Sequence, residues 1–502
     1  MSIEFQIYDW VEDHEVINNN SDNDDYDNQP VGEYIIHIFG RCEDGKSVYA
    51  KIKDYTPYFY ILLPSKYQNA PEEEVEQFIN LIKIFFKSRE CKVYYKYKST
   101  LIDVQLIKQK KAEGFTNDSE FYFLRLVFNN YEGMKKYKSF IENNKIKIGQ
   151  FNPYQFKLYE ANVLPMIRCF HIRDISGCSW VQIQENKYEL IEDDKQSRCD
   201  IEIVLSYKYL IPITDNKKGN APFRIASYDI ECNSIDGEFP QAKRKGDSII
   251  QIGITYTYIG QSIPYRQYIA CLGNTSNFDE NTIVESYGSE EELLLGFLKE
   301  INSSDCDIIT GYNIFFFDEK YVYDRCKNIL YIEDEMSYMS KLINYKCNFK
   351  ENKLASSAMG ENLLRYWDTP GRIHIDLMKD VQKTFTLSSY KLDSVASNFI
   401  RGDINKFNIN DDNIILECKT TKDIFINDYI HIEINKGFVS DELGDKYLIN
   451  NIIDNNIIIN KDERLVEELK CFNMMILNNK IKIYSYMFNE SDLFDWMLFI
   501  FY

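Results

Sequence analysis

Twelve cysteines are scattered along the 502 residues with no Cys-x-x-Cys pair and no Cys/His cluster at zinc spacing, which argues against a structural zinc site. Thiols distributed this way fit a reduced, intracellular protein better than a disulfide scaffold. No apolar run approaches the roughly 20 residues of a membrane span, so no membrane association is expected. The start, Met1-Ser2-Ile3-Glu4-Phe5, has no signal-peptide pattern. Positive charge is in short supply: Lys and Arg number 58 against 78 Asp and Glu, a formal charge of −20. That balance argues against indiscriminate nucleic-acid binding. Local patches decide binding, however, and a carboxylate metal site itself adds negative charge, so a DNA enzyme stays open.

What is present is ample core material. At 44% hydrophobic residues, a chain of this length predicts two or three domains rather than one core. Residues 18–30 are an Asn/Asp run with little to bury, expected as a solvated loop or disordered insert. Strand-like runs at 34–39 and 47–53 flank Asp44-Gly45, a hairpin signal, and 58–63 reads as a buried strand. Helical spacing of Val75, Phe78, Leu81, Ile82 and Phe85 predicts a helix over 72–86. Lysines and tyrosines then alternate from Lys83 through Tyr94, Tyr95 and Tyr97 to Lys111, a pattern that suits gripping a single strand. A helix and strand with solvated lysine faces is the simpler account.

A β-rich segment at 198–213 and a linker-like 214–220 set a domain boundary, giving an N-terminal unit of 1–215 and a second unit of 221–404. The second unit reads as strands at 223–231, 248–258 and 265–270, a helix at 290–301, a strand at 307–311 and a helix at 317–326. That order predicts a mixed sheet with helices packed on it, within an α/β (mixed α+β) fold class. Residues 405–482 alternate isoleucine with polar residues between Gly and Asn punctuation, as in a small β-rich insert of hairpins. The tail 483–502 ends in Leu493 to Tyr502, apolar enough to require burial or a partner.

The chemistry-bearing pattern is Tyr228-Asp229-Ile230-Glu231 followed by Gly311-Tyr312-Asn313-Ile314-Phe315-Phe316-Phe317-Asp318. Strand alternation puts Asp229 and Glu231 on one face, with Ala226, Tyr228 and Ile230 on the other. If the second segment brings Asp318 to the same place, three hard oxygen ligands suit a pair of divalent cations and nuclease chemistry. Taken alone, each residue has a plainer role. Asp200-Ile201-Glu202 repeats the tripeptide without such context, Asn313 suits a helix cap, and Asp318 suits a first helical turn.

Together with their flanks, these segments resemble the first and second exonuclease motifs of family B DNA polymerases of the delta and large-DNA-virus type. Thr56-Pro57-Tyr58-Phe59-Tyr60, Arg173 to Trp180, Phe239-Pro240-Gln241-Ala242, Asp247 to Ile252, Gly371 to Leu377 and Ser389 to Ala396 are similar to further segments of that family, in order. The resemblance implies a ribonuclease-H-like 3′–5′ proofreading exonuclease beside the N-terminal domain. It implies two Mg²⁺ ions, with Mn²⁺ as a substitute, held by Asp229, Glu231 and Asp318. Asn313, Phe317 and Tyr312 would contact the terminal nucleotide or support its loop. It also implies a DNA 3′ end as substrate, a role in DNA replication at a nuclear or cytoplasmic viral site, and a sliding clamp among the partners.

Two parts of the family pattern are missing. No Tyr-x-x-x-Asp third motif follows Tyr390; Tyr486 is followed at that spacing by Glu490 and Tyr484 by Phe488, and Asp492 and Asp495 are weak substitutes. The palm and fingers motifs of nucleotide addition are absent too. The chain is therefore expected to be the N-terminal part of a split or truncated polymerase that needs a second polypeptide carrying the palm. A non-catalytic DNA-binding or scaffold module is the alternative. A third account is a self-contained nuclease that recruits Asp376 or Asp380.

Overall fold

The computed structural model describes residues 2–15, 31–93, 95–111, 113–149, 152–214, 219–261, 263–276, 280–356, 360–399, 401–421, 424–436, 439–473 and 480–486. The Asn/Asp run at 18–30, Tyr94, linker residues 215–218 and the tail from 487, with Phe488, Glu490, Asp492 and Asp495, lie outside them.

The N-terminal half contains two sheets. Strands Glu33–Arg41 and Ser47–Lys53 pair antiparallel, as the Asp44-Gly45 signal predicts, at the centre of a seven-stranded sheet. Strand Ile201–Ser206 lies parallel to Ser47–Lys53 and pairs on its other side with the short edge strand Glu189–Leu190. The repeated Asp-Ile-Glu tripeptide is structural there: Glu202 accepts hydrogen bonds from Gln196 N, Ser197 N and Ser197 Oγ, and Asp200 accepts from Ser47 N. A separate four-stranded sheet carries helices Glu72–Lys87 and Tyr131–Asn143 on its core. Glu72, Glu73 and Glu74 favour the positive start of the first helix. Its buried stripe takes in Ile79 and Phe86 and leaves Leu81 at the surface. The lysine–tyrosine stretch is largely engaged with the protein itself: Tyr97 packs on this core, and Lys108 and Lys111 lie over the rings of Tyr122 and Phe121.

The mixed sheet that positions the site has six strands, ordered Thr282–Tyr287, Arg266–Leu272, Ile249–Tyr258, Arg224–Cys232, Ile308–Gly311, Ile373–Asp376. The first three in chain order form an antiparallel meander, and the last two run parallel to Arg224–Cys232. Setting aside Thr282–Tyr287 at the edge, the strand order in chain sequence is 3-2-1-4-5. Helix Glu290–Ser304 starts at Ser289, whose Oγ accepts from Glu292 N, while Glu292 reaches back to Gly288 N. It buries Leu293, Leu294, Phe297 and Ile301 against the sheet.

Among the described residues between 401 and 486, six strands form a closed antiparallel barrel. Ile414, Leu416, Ile430, Ile432, Ile449, Ile457 and Ile459 fill it, and Leu465 and Leu469 of helix Glu463–Asn473 pack against them. The alternation predicted as hairpins thus closes on itself, which removes the free edges a sheet of hairpins would expose.

A buried ionic cluster joins the N-terminal sheet to the mixed sheet. Asp307, directly before strand Ile308–Gly311, accepts from Arg41 Nε at 2.5 Å and Lys341 Nζ at 2.6 Å, and all three side chains are fully buried. Asp305 pairs with both cations as well. Burial pushes the Asp307 carboxyl up, but Lys341 and Arg41 outweigh it and hold its pKa below the ordinary value. A depressed carboxyl pKa gives stability that is complete above the unfolded value of about 4 and is lost as pH falls through the folded one. Asp307→Ala leaves two buried cations to share Asp305 alone, so urea unfolding at pH 7 is expected to show a loss of about 3 kcal/mol. The difference between variant and native chain should shrink below pH 4.

Candidate active site

Strand Arg224–Cys232 buries Ala226, Tyr228 and Ile230 and leaves Asp229 and Glu231 exposed at its C-terminal end. Strand Ile308–Gly311 runs parallel beside it, with Ser227 opposite Thr310, and so ends just before the level of Asp229. Gly311 is required there, because a Cβ would sit 2.6 Å from the Tyr228 carbonyl oxygen and 2.4 Å from Ile314. The chain then turns sharply, with Asn313 in the left-handed region at φ 64°.

A carboxylate from the third parallel strand holds this turn. Asp376, opposite Gly311, accepts from Asn313 N at 2.9 Å and Phe315 N at 3.1 Å, and it caps the next helix through Met378 N at 3.0 Å. The turn delivers Phe317 and then helix Asp318–Arg325. Its N-cap position is Phe317, so Asn313 is not the helix cap that the plainer account expects; instead the Asn313 carbonyl accepts from Phe316 N and Phe317 N, and its side-chain oxygen is buried without a hydrogen-bond partner. Tyr312 donates its hydroxyl to the Tyr390 carbonyl at 2.7 Å, tying the turn to the later segment.

Asp318 therefore arrives against Asp229. It is 2% exposed, its Oδ1 accepts from Ile230 N at 3.3 Å, and its carboxyl hydrogen-bonds that of Asp229. Burial, and then the Asp229 charge, raise the Asp318 pKa well above the carboxylate range; burial raises Asp229 too. Two carboxyls this close share a proton unless a cation replaces it. Glu231, two residues further along the same face, stands at the rim. Among the described residues, no three His, Cys, Asp or Glu side chains are grouped to hold a metal ion. The structure thus brings Asp229 and Asp318 together and leaves Glu231 outside that pair. Hard oxygen donors in a like-charged pair, one buried and one open to solvent, nevertheless fit a divalent cation.

Asp376, considered as a substitute ligand, has both oxygens engaged by backbone N–H groups and serves as an organiser. Asp380 lies in the following helix, Leu377–Thr384.

Phe239 went unassigned in the sequence. Its ring is 72% exposed and meets Phe317 edge-on at 5.4 Å, and Phe316 beside them is 60% exposed. Its loop is closed by Asp247, which accepts from Ile235 N, Gln241 N and Arg244 Nε. The Arg244 hydrogen bond holds the Asp247 pKa at about 2. A Phe-Pro pair close after two strand carboxylates was the available signal.

Residues 156–395 match the family described as DNA polymerase family B, exonuclease domain. Among curated relatives, the chain is 30% identical to a DNA polymerase of Acanthamoeba polyphaga mimivirus, over 89% of this chain and 30% of that one. It is 27% identical to a DNA polymerase of Pyramimonas orientalis virus, over 92% and 46%. It is 28% identical to the DNA polymerase delta catalytic subunit of Dictyostelium discoideum, over 73% and 32%. The chain spans less than half the length of each of these. The chain is thus similar to family B DNA polymerases over their N-terminal and exonuclease region.

The sign of the Asp318 shift gives a test. A carboxyl raised in the folded state destabilises the fold as pH rises above its unfolded value of about 4. Asp318→Asn is therefore expected to stabilise the cation-free protein at pH 7 by about 1 kcal/mol, the usual trade-off at a functional site. In thermal melts with a chelator present, the gain should vanish near pH 4.

Proposed function

We propose that this chain binds the 3′ end of single-stranded DNA and removes terminal nucleotides as the proofreading part of a replicative polymerase. The observation that carries the reading is the Asp229–Asp318 pair, in which a buried carboxyl at the start of a helix stands against an exposed one on the neighbouring strand. Bound Mg²⁺ ions, with Mn²⁺ as substitute, would supply a nucleophilic hydroxide and charge stabilisation at the departing 3′ oxygen. Asp229 and Asp318 would hold them, with Glu231 completing the set and placing the attacking water. Phe317 and Phe239 offer ring faces for the terminal bases, and Asn313 presents an unspent buried oxygen beside them. Residues 1–215 serve as the N-terminal unit, 221–404 as the exonuclease unit and 405–482 as an insert. Nucleotide addition would fall to a palm on a second polypeptide, with a sliding clamp as a further partner at an intracellular replication site.

The second reading, a non-catalytic DNA-binding module, is favoured by one feature: Glu231 does not close a three-ligand cluster. A 5′-labelled single strand separates the two. With Mg²⁺, shortening from the 3′ end, abolished in Asp229→Ala and Asp318→Ala, supports the nuclease. DNA affinity that survives Asp229→Ala without cleavage in Mg²⁺ or Mn²⁺, alone or mixed with a chain carrying the third motif and palm, supports the module.

Asp376→Ala removes the acceptor for Asn313 N and Phe315 N without touching either carboxyl of the pair. Its expected effect is a fall of about 10–100-fold in the rate of 3′-end shortening, the usual cost of losing an outer support. Gel-resolved time courses at saturating DNA would measure it.

A further inference from the structure

Strand Ile373–Asp376 reaches the active-site helix through two side chains rather than one. Alternation along the strand puts His374 and Asp376 on the same face. Asp376 holds the turn before Asp318, through Asn313 N and Phe315 N. His374 holds the residue after it: its Nδ1 lies 2.6 Å from Glu319 Oε1, and the two side chains are 4% and 3% exposed. Asp318 is thus gripped on both flanks from a single strand.

The hold continues away from the carboxylate pair. His374 Nε2 lies 2.9 Å from Thr369 Oγ1, and that hydroxyl donates to the Arg372 carbonyl at 3.0 Å. Arg372 N donates back to the Thr369 carbonyl at 3.0 Å, closing the turn that leads into the strand. Both ring nitrogens are therefore engaged, and the imidazole is fixed in orientation. Glu319 needs that partner, because a buried carboxylate left alone is costly. Without the ring it would turn toward water and draw the first helical turn with it. The buried cluster at Asp307 joins two sheets away from the site, whereas the group that His374 holds is the immediate chain neighbour of Asp318.

We infer that His374 is a positioning residue for the divalent-cation site: through Glu319 it sets how closely the Asp318 carboxyl approaches Asp229. The inference rests on the reading of that pair as a cation site, and it does not require that the chain cleave DNA.

The test is Mn²⁺ titration of the whole chain, read by electron paramagnetic resonance, in His374→Leu, His374→Gln and Thr369→Val. His374→Leu is expected to weaken Mn²⁺ binding about 10-fold, as the loss of an outer support does. His374→Gln keeps an amide within reach of Glu319 and should recover most of that loss. Thr369→Val releases the far side of the ring and should fall between native and His374→Leu; it carries the test if His374→Leu does not fold. Glu202→Gln, which weakens hydrogen bonds confined to the N-terminal sheet, is the control for a purely structural effect. It should lower Tm and leave Mn²⁺ affinity unchanged. Native affinity in His374→Leu, or in Thr369→Val where His374→Leu does not fold, overturns the inference. So does His374→Gln binding no better than His374→Leu, or a native chain that binds no Mn²⁺. In the 3′-end assay kcat should fall in His374→Leu with KM for DNA unchanged. His374-dependent Mn²⁺ affinity without any shortening overturns the nuclease alone, and shortening with both kcat and Mn²⁺ affinity unchanged in His374→Leu overturns this inference alone.

Discussion

The active-site end of the molecule depends on the Asp376 carboxylate and its three backbone donors. It holds the left-handed turn at Asn313 from the neighbouring strand, and that turn decides where Asp318 lands relative to Asp229. A carboxylate at the end of one parallel strand clamps the loop leaving its neighbour, and the loop in turn seats a second carboxylate against a third strand. His374, two residues earlier, adds a second hold, since its Nδ1 lies 2.6 Å from Glu319 Oε1 in the first turn of the active-site helix. The placement of Asp318 is thus handed across the sheet by hydrogen bonds between the Asp376 carboxylate and the backbone of the turn.

The chain buries carboxylates in two opposite ways. At Asp307, two cations surround a buried acid, its pKa falls, and two sheets are joined. At Asp318, a second acid is placed against the first and the pKa rises. The first arrangement is complete within the protein. The second is electrostatically unfinished, the condition in which strongly shifted carboxyls are found at functional sites.

Local pattern carried much of this into view. The period-2 alternation of Arg224–Cys232 put Asp229 and Glu231 on one face, and the strand and helix order of the second half outlined the mixed sheet. The turn after Gly311 was legible as a strand-to-helix junction. What stayed hidden depends on contacts far apart in the chain. Asp376 was legible only as a spare acid, because its partners are backbone N–H groups about sixty residues earlier. The Arg41–Asp307 pair spans more than half the sequence, and nothing in either neighbourhood announces the other. Glu231 shares a face with Asp229, but sharing a face does not ensure sharing a ligand sphere. Barrel closure at 401–486 was also out of reach, since alternation reports a half-buried strand and not which strand completes the ring.

That ring has a geometric corollary. Its first strand, Arg401–Ile409, and its last, Lys480–Tyr486, are hydrogen-bonded neighbours, with Arg401 opposite Tyr484. The polypeptide therefore leaves the barrel about one interstrand spacing, ~5 Å, from where it went in. A module whose two stalks stand side by side can be spliced into a surface connection, or excised from one, with little change in the path of the flanking backbone.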